Sequence, residues 1–320
     1  MVLAAYQTRA TALRRYATAP RRHFIFADGH SHLRLQKSRA KVSGVEGLVP
    51  VASRKVFAAL VFCLLIAVPA HAKNHETGFL DRTITVQGAT YKYQVFVPDT
   101  WTPRQKWPII LFLHGAGERG EDGLQETDVG IGTAIRSNRS TIPAIVVMPQ
   151  CRRGVWWMQP PMDELAIDTL NAAIKEFHGD VRRTYLTGLS MGGYGSWYLA
   201  GKYPGRFAAL IVICGGIRPP AGALKNDPEL VKWTPADEPK SYAAAAAKVG
   251  NTPVWIFHGT DDDSVPVAES QRMYAAMKAI GTDVHYTEFP GMRHAVWDKA
   301  YDQPELFPWL FSKSLAVTTK

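Results

Sequence analysis

Beyond residue 82, apolar and polar positions follow first one period and then another. Residues 83–86 and 91–97 alternate singly around Gln87 and Gly88, which predicts an antiparallel hairpin at the edge of a sheet. Six segments without alternation follow, at 109–113, 144–148, 184–187, 209–213, 254–257 and 284–289, each rich in β-branched and aromatic residues. Such runs suit strands covered on both faces, as in a parallel sheet. Helical stretches lie between or after them, at 163–177, 192–202, 268–280 and 304–314. The alternation predicts an α/β chain: an open, mostly parallel sheet of about eight strands with helices on both faces and right-handed crossovers.

The domain so predicted spans residues 73–320. Its one long insertion, 215–250, is rich in Pro and Lys and reads either as a small cap or as a surface excursion with a short helix; the alanine run 243–247 belongs to a helix. No internal repeat is visible.

Residues 1–72 follow a different pattern. Arg54 and Lys55 precede an apolar run over 56–68, and Ala70, His71 and Ala72 follow it. A charged start, a short apolar stretch and small residues at −3 and −1 predict a signal peptide at 53–72, cut after Ala72. The run is shorter than the ~20 residues of a membrane span. Phe62 before Cys63 is too bulky for a lipoprotein cleavage site, so no stable membrane anchor is expected. Residues 1–52, rich in Arg and Ala, read as an extension from a start codon placed too early, with a transit peptide as the alternative. The expected location is outside the cytoplasm, periplasmic or secreted.

Charge adds one exclusion. The net charge of +9 comes from this leader, where 11 Lys and Arg stand against Asp28 and Glu46; the rest of the chain carries equal numbers of basic and acidic residues. With no basic patch or helix-turn-helix pattern there, nucleic acid is not an expected partner. Cys151 and Cys214 remain after the leader. They end strands about three positions apart, roughly 14 Å at the ~4.8 Å strand spacing, which is too far for a disulfide.

Gly188, Leu189, Ser190, Met191 and Gly192 form a GxSxG segment between a predicted strand and a predicted helix. In that context the serine sits in a strained turn and is a candidate nucleophile, since side chains at the flanking positions would collide with neighbouring backbone. A glycine-rich turn is the plain alternative. A serine hydroxyl needs a base, and here the chain order is serine, acid, histidine. His294 meets that order, just after the last strand. His114 and His258 lie in His-Gly turns and read as loop-shaping residues. For the acid, Asp261, Asp262 and Asp263 all follow the penultimate strand. Backbone amides of Ala116, in the loop after the strand 109–113, and of Met191 are the expected oxyanion donors.

Taken together, LFLHGAGERGEDG at 111–123, 149–151, 188–193, the Asp262 loop and HAVWDKAY at 294–301 resemble a bacterial family of α/β-hydrolases described as predicted peptidases or phospholipase/carboxylesterase-like esterases, related to the dienelactone hydrolases. The spacing of Asp262 from His258-Gly259 and to Val265-Pro266 resembles the family's acid-bearing loop and selects Asp262. Asp261 and Asp263 are then solvated residues capping the next helix. The resemblance implies the α/β-hydrolase fold with a small cap or none, and hydrolysis of small or aromatic acyl esters. Peptidase activity is the first rival, and a non-catalytic binding protein on the same scaffold the second. One departure is Ala295, where an asparagine is usual. No metal or organic cofactor is implied, and the expected partner is a small-molecule ester. Trp156 and Trp157 are candidate walls of a substrate pocket, with packing beneath a loop as the alternative. Glu118, Arg119 and Asp122 read as a salt-bridged loop, with substrate contact as the alternative.

Overall fold

The computed structural model describes residues 75–138, 140, 142–219, 233 and 240–316. The expected extension at 1–52 and signal peptide at 53–72 lie outside the described residues, as does most of the insertion on which a cap was considered. The described residues form one compact unit.

Eight strands make one sheet: β1 (Gly78–Val86), β2 (Ala89–Val97), β3 (Trp107–Leu113), β4 (Ile145–Pro149), β5 (Gly179–Leu189), β6 (Ala209–Ile213), β7 (Val254–Gly259) and β8 (Val284–Phe289). Their spatial order is β1-β2-β4-β3-β5-β6-β7-β8. The two edge strands at one side pair antiparallel and the other six run parallel. The hairpin turns on Gln87 and Gly88, both at positive φ, the twist that matches flanking strands.

Burial explains the unalternated runs. Along β3, Ile109, Leu111 and Leu113 belong to the core on one face of the sheet, while Ile110 and Phe112 belong to the core on the other. The helices covering these faces include α1 (Ile131–Ser137), α2 (Met162–Glu176), α3 (Met191–Lys202), α4 (Lys240–Val249), α5 (Ala268–Ala279), α6 (Trp297–Tyr301) and α7 (Leu306–Ser312).

Three differences from the pattern-based expectation have physical causes. Strand β5 begins at Gly179 rather than at 184, because its first half is polar: Arg183 bonds Asp180 at 2.8 Å and the Arg182 carbonyl accepts the Leu315 amide at 2.9 Å. The predicted helix at 304–314 appears as α7, and a separate helix, α6, precedes Pro304 without having been expected, since its five residues are too few to show an apolar period. Helix α1 is absent from the expectation, being only seven residues with a glycine inside. Helix α4 takes up the alanine run. Cys151 and Cys214 are free and buried at the ends of β4 and β6, three positions apart.

Helices α2 and α3 are joined by an ion pair between Lys202 and Asp163, whose side chain is fully buried. Lys202→Met leaves that carboxylate without its cation, and the expected loss is about 2 to 3 kcal/mol in urea unfolding. Adding Asp163→Asn is expected to recover part of it; full stability of the single variant would show that the pair contributes nothing.

Candidate active site

Ser190 occupies the turn between β5 and α3 with φ of 52° and ψ of −118°, a conformation unusual for a residue with a side chain. Its amide donates to the Ile213 carbonyl at 2.9 Å, and its own carbonyl accepts the amides of Gly193 and Tyr194 at 2.8 and 3.2 Å. The flanking glycines permit the close approach. A Cβ on Gly188 would run into the Gly192 carbonyl, and one on Gly192 into the carbonyls of Leu113 and His114.

The hydroxyl of Ser190 lies 2.8 Å from His294 Nε2, and His294 Nδ1 lies 2.7 Å from Asp262 Oδ2. The structure thus brings these three residues together. His294 stands in the loop between β8 and α6, its ring edge-on to Trp297 with centroids 5.9 Å apart. That loop is fastened to the Asp262 loop through the Asp261 amide and the Met292 carbonyl at 2.9 Å. The hydroxyls of Tyr301 and Thr187 meet at 2.8 Å, which ties α6 to the strand that ends at Ser190.

The Asp262 side chain is fully buried and fully engaged. Oδ1 accepts the amides of Ser264 and Val265, each at 2.9 Å. Oδ2 is shared between His294 and a second histidine, His258, whose Nε2 is 3.1 Å away. The same Nε2 is 3.0 Å from the Val265 carbonyl, and Nδ1 is 2.7 Å from Ser270 Oγ. Since both neighbours of Nε2 are acceptors, the proton of His258 sits there and Ser270 donates to Nδ1. Burial pushes the Asp262 carboxyl upward, but hydrogen bonds from His258, His294 and the Val265 amide outweigh it and hold the group well below the usual carboxylate range. Sequence reasoning gave His258 a loop-shaping role and missed its contact with Asp262. The signal was the i, i+4 spacing of the two residues. Neither other aspartate caps α5, whose N-cap is Val267 with no side-chain bond. Asp263 pairs with Arg293 at the surface, and Asp261 accepts from Thr260.

On the other side of Ser190 runs the loop after β3. Gly115 is so close that a Cβ there would lie 3.7 Å from that of Ser190. Among the described residues, no loop, turn or cap carbonyl takes the amide hydrogen of Ala116 or of Met191. His114 is buried beneath; its Nδ1 is 2.6 Å from the Gly115 carbonyl and its Nε2 accepts the Cys151 amide at 2.9 Å. Burial lowers its pKa to about 4, which keeps the ring neutral. Trp157 is fully buried, its Nε1 donating to the His114 carbonyl at 3.0 Å, so it packs under the loop and presents no wall to a substrate. Trp156 remains half-buried and faces Arg119. The loop is not the salt-bridged unit expected from its charges. Asp122 takes backbone amides and Gln150, and Glu121 pairs with Arg152.

Cys214 Sγ, Asp262 and His294 bring ligand-type atoms within 4.8 Å of one another. Both nitrogens of His294 are already spent on Ser190 and Asp262, and burial pushes the thiol far up, away from the thiolate a metal would need. The cluster is a neutral thiol packed under the three-residue chain.

No helix among the described residues is long and apolar enough to cross a membrane. The chain matches the prolyl oligopeptidase family over residues 164–311. It is 24% identical over 208 residues to a secreted fungal protein of Arthroderma benhamiae, and 24% identical over 180 residues to a bifunctional acetylxylan esterase/xylanase of Neocallimastix patriciarum. These stretches are 59% and 55% of this chain but 21% and 22% of the relatives, so the chain spans about a fifth of the length of the curated proteins it matches. A thermostable esterase of known structure superposes with a TM-score of 0.61 at 30% identity, over 74% of this chain and 63% of that one. Sequence motif, sheet topology and these likenesses agree: the chain belongs to the α/β-hydrolase superfamily and is similar to its carboxylesterase-like members.

Proposed function

We propose that the protein is an exported serine esterase that cleaves small or aromatic acyl esters through Ser190, His294 and Asp262. The observation that carries this reading is the unbroken chain of contacts, 2.8 Å from Ser190 to His294 and 2.7 Å from His294 to Asp262. His294 takes the serine proton as Oγ attacks the ester carbonyl, and the ionised Asp262 holds the imidazole in register and stabilises the imidazolium that forms. The developing oxyanion is received by the amides of Ala116 and Met191. His294 returns the proton to the leaving alcohol, and a water activated by the same base releases the acyl group from Ser190. Trp156, edge-to-face with Tyr194 at 5.7 Å, supplies an aromatic wall for the substrate. Export rests on the signal-like pattern at 53–72.

A peptidase reading of the same residues is favoured by the match to the prolyl oligopeptidase family. The deciding assay compares p-nitrophenyl and hydroxycinnamoyl esters with peptide anilides. Ester turnover well above anilide turnover is expected, and the reverse would transfer the assignment to the peptidase. Failure of Ser190 to react with a fluorophosphonate probe would point instead to a binding protein.

Ser190→Ala is expected to lower ester kcat by about 10⁴-fold or more while leaving the fold intact by circular dichroism. Asp262→Asn is expected to cost about 10⁴-fold. Because the folded-state pKa of Asp262 is depressed, its contribution to stability is present above the unfolded carboxylate value and is lost as pH falls through the folded one. The Tm gap between wild type and Asp262→Asn is therefore expected to shrink between pH 7 and pH 3. His258→Asn removes one donor from the Asp262 carboxylate. The expected result is a fall of about 10- to 100-fold in kcat with KM little changed; an unchanged kcat would reduce His258 to a packing residue.

A further inference from the structure

Arg119 closes the short turn Ala116–Glu118 that follows β3, on the same loop as the amide of Ala116. Its guanidinium lies face-on to Trp156, 5.5 Å from the ring centroid. Trp156 in turn meets Tyr194 edge-to-face at 5.7 Å. Tyr194 stands one helical turn beyond Ser190, and its amide donates to the Ser190 carbonyl. The cation is thus mounted on an aromatic wall that reaches the first turn of α3, while its own loop touches Ser190 through Gly115.

Among the described residues this cation has no anion. Each nearby acid is occupied: Glu121 with Arg152, Asp122 with the amides of Leu124 and Gln125 and with Gln150, and Glu118 with the amide of Gly115 and its own. Among the described residues Arg119 forms no ion pair; its side chain bonds the sulfur of Cys151, and its Nε is buried without a hydrogen-bond partner. The neighbouring Cys151 thiol is pushed up to about 12 by burial and stays neutral. A guanidinium remains charged under all ordinary conditions, so a half-buried one with unspent donors costs free energy in the unliganded protein. The arrangement fits a planar oxyanion group taken up with the substrate, since the fork of an arginine matches a carboxylate in two parallel hydrogen bonds. The aromatic face behind it keeps the fork in one orientation.

We infer that Arg119 binds a free carboxylate on the substrate, and that the preferred esters carry one within a few carbons of the scissile bond. The inference rests on the esterase reading above and names the substrate class that reading leaves open. The carboxylate belongs either to the acyl part or to the alcohol part, and matched ester pairs separate the two. For the acyl side the pair is mono-4-nitrophenyl glutarate against 4-nitrophenyl butyrate. For the alcohol side it is 4-carboxyphenyl butyrate against 4-(methoxycarbonyl)phenyl butyrate.

The measured quantity is the ratio of kcat/KM for the charged ester to that for its neutral counterpart, which does not depend on how much of a variant is folded. Wild type is expected to favour the charged member of at least one pair by about tenfold, as suits a charge-assisted contact. Arg119→Gln is expected to abolish the preference, and Arg119→Lys, which keeps the charge but not the fork, to restore part of it. A wild-type ratio near one in both pairs, or a preference that survives Arg119→Gln, overturns the assignment while the esterase reading stands. Hydrolysis of none of the four esters refutes the esterase reading itself.

Discussion

The whole arrangement depends on a backbone turn that isolated chain would not hold. Ser190 is kept at positive φ, a conformation that costs about 1 to 3 kcal/mol for a residue with a side chain. The compensation comes from both sides, because β5 lies in the middle of the sheet. Toward β6, the serine amide is bonded to Ile213; toward β3, the first turn of α3 presses Gly192 against the carbonyls of Leu113 and His114. The strained turn, the strand order and the close start of α3 are one constraint. A side chain at Gly192 would run into the backbone at the end of β3.

A second feature follows from where this turn emerges. At the carboxyl end of the parallel strands, the loops after β7 and β8 meet each other before they meet Ser190. Asp262 is buried there as an ion, which is tolerable only because two histidines and two backbone amides satisfy it. The exposed Asp263–Arg293 pair one residue away has no comparable consequence, since water screens it. Arg119 presents the opposite case: a charge half-withdrawn from water that has no ion pair among the described residues. Asp262, an anion with its partners in place, holds His294 beside Ser190, while the loop that carries Arg119 approaches Ser190 through Gly115.

The order of strands and helices was legible where burial on both faces makes apolar residues continuous, as in β3, β4 and β6. It was not legible where partners far along the chain hold polar residues in a strand, as at Asp180, Arg182 and Arg183 in β5, or where a helix is only a turn or two long, as in α1. Helix α6, five residues long and ahead of Pro304, escaped notice for the same reason, while α7 lies within the stretch expected to be helical.

At the site, the sequence by itself determined the residue types and their order along the chain: glycines around Ser190, three carboxylates after β7 and a histidine after β8. Those features are local, since turn sterics act within a few residues. The resemblance of its loop had already selected Asp262 among its neighbours; only the tertiary structure decided that His258 shares its carboxylate, that Trp157 is buried while Trp156 is not, and that Arg119 has no ion pair among the described residues. The pairs concerned lie 32 and 104 residues apart in the case of His294, and contact over such separations is set by how strands stack and loops cross, which periodicity and spacing do not encode.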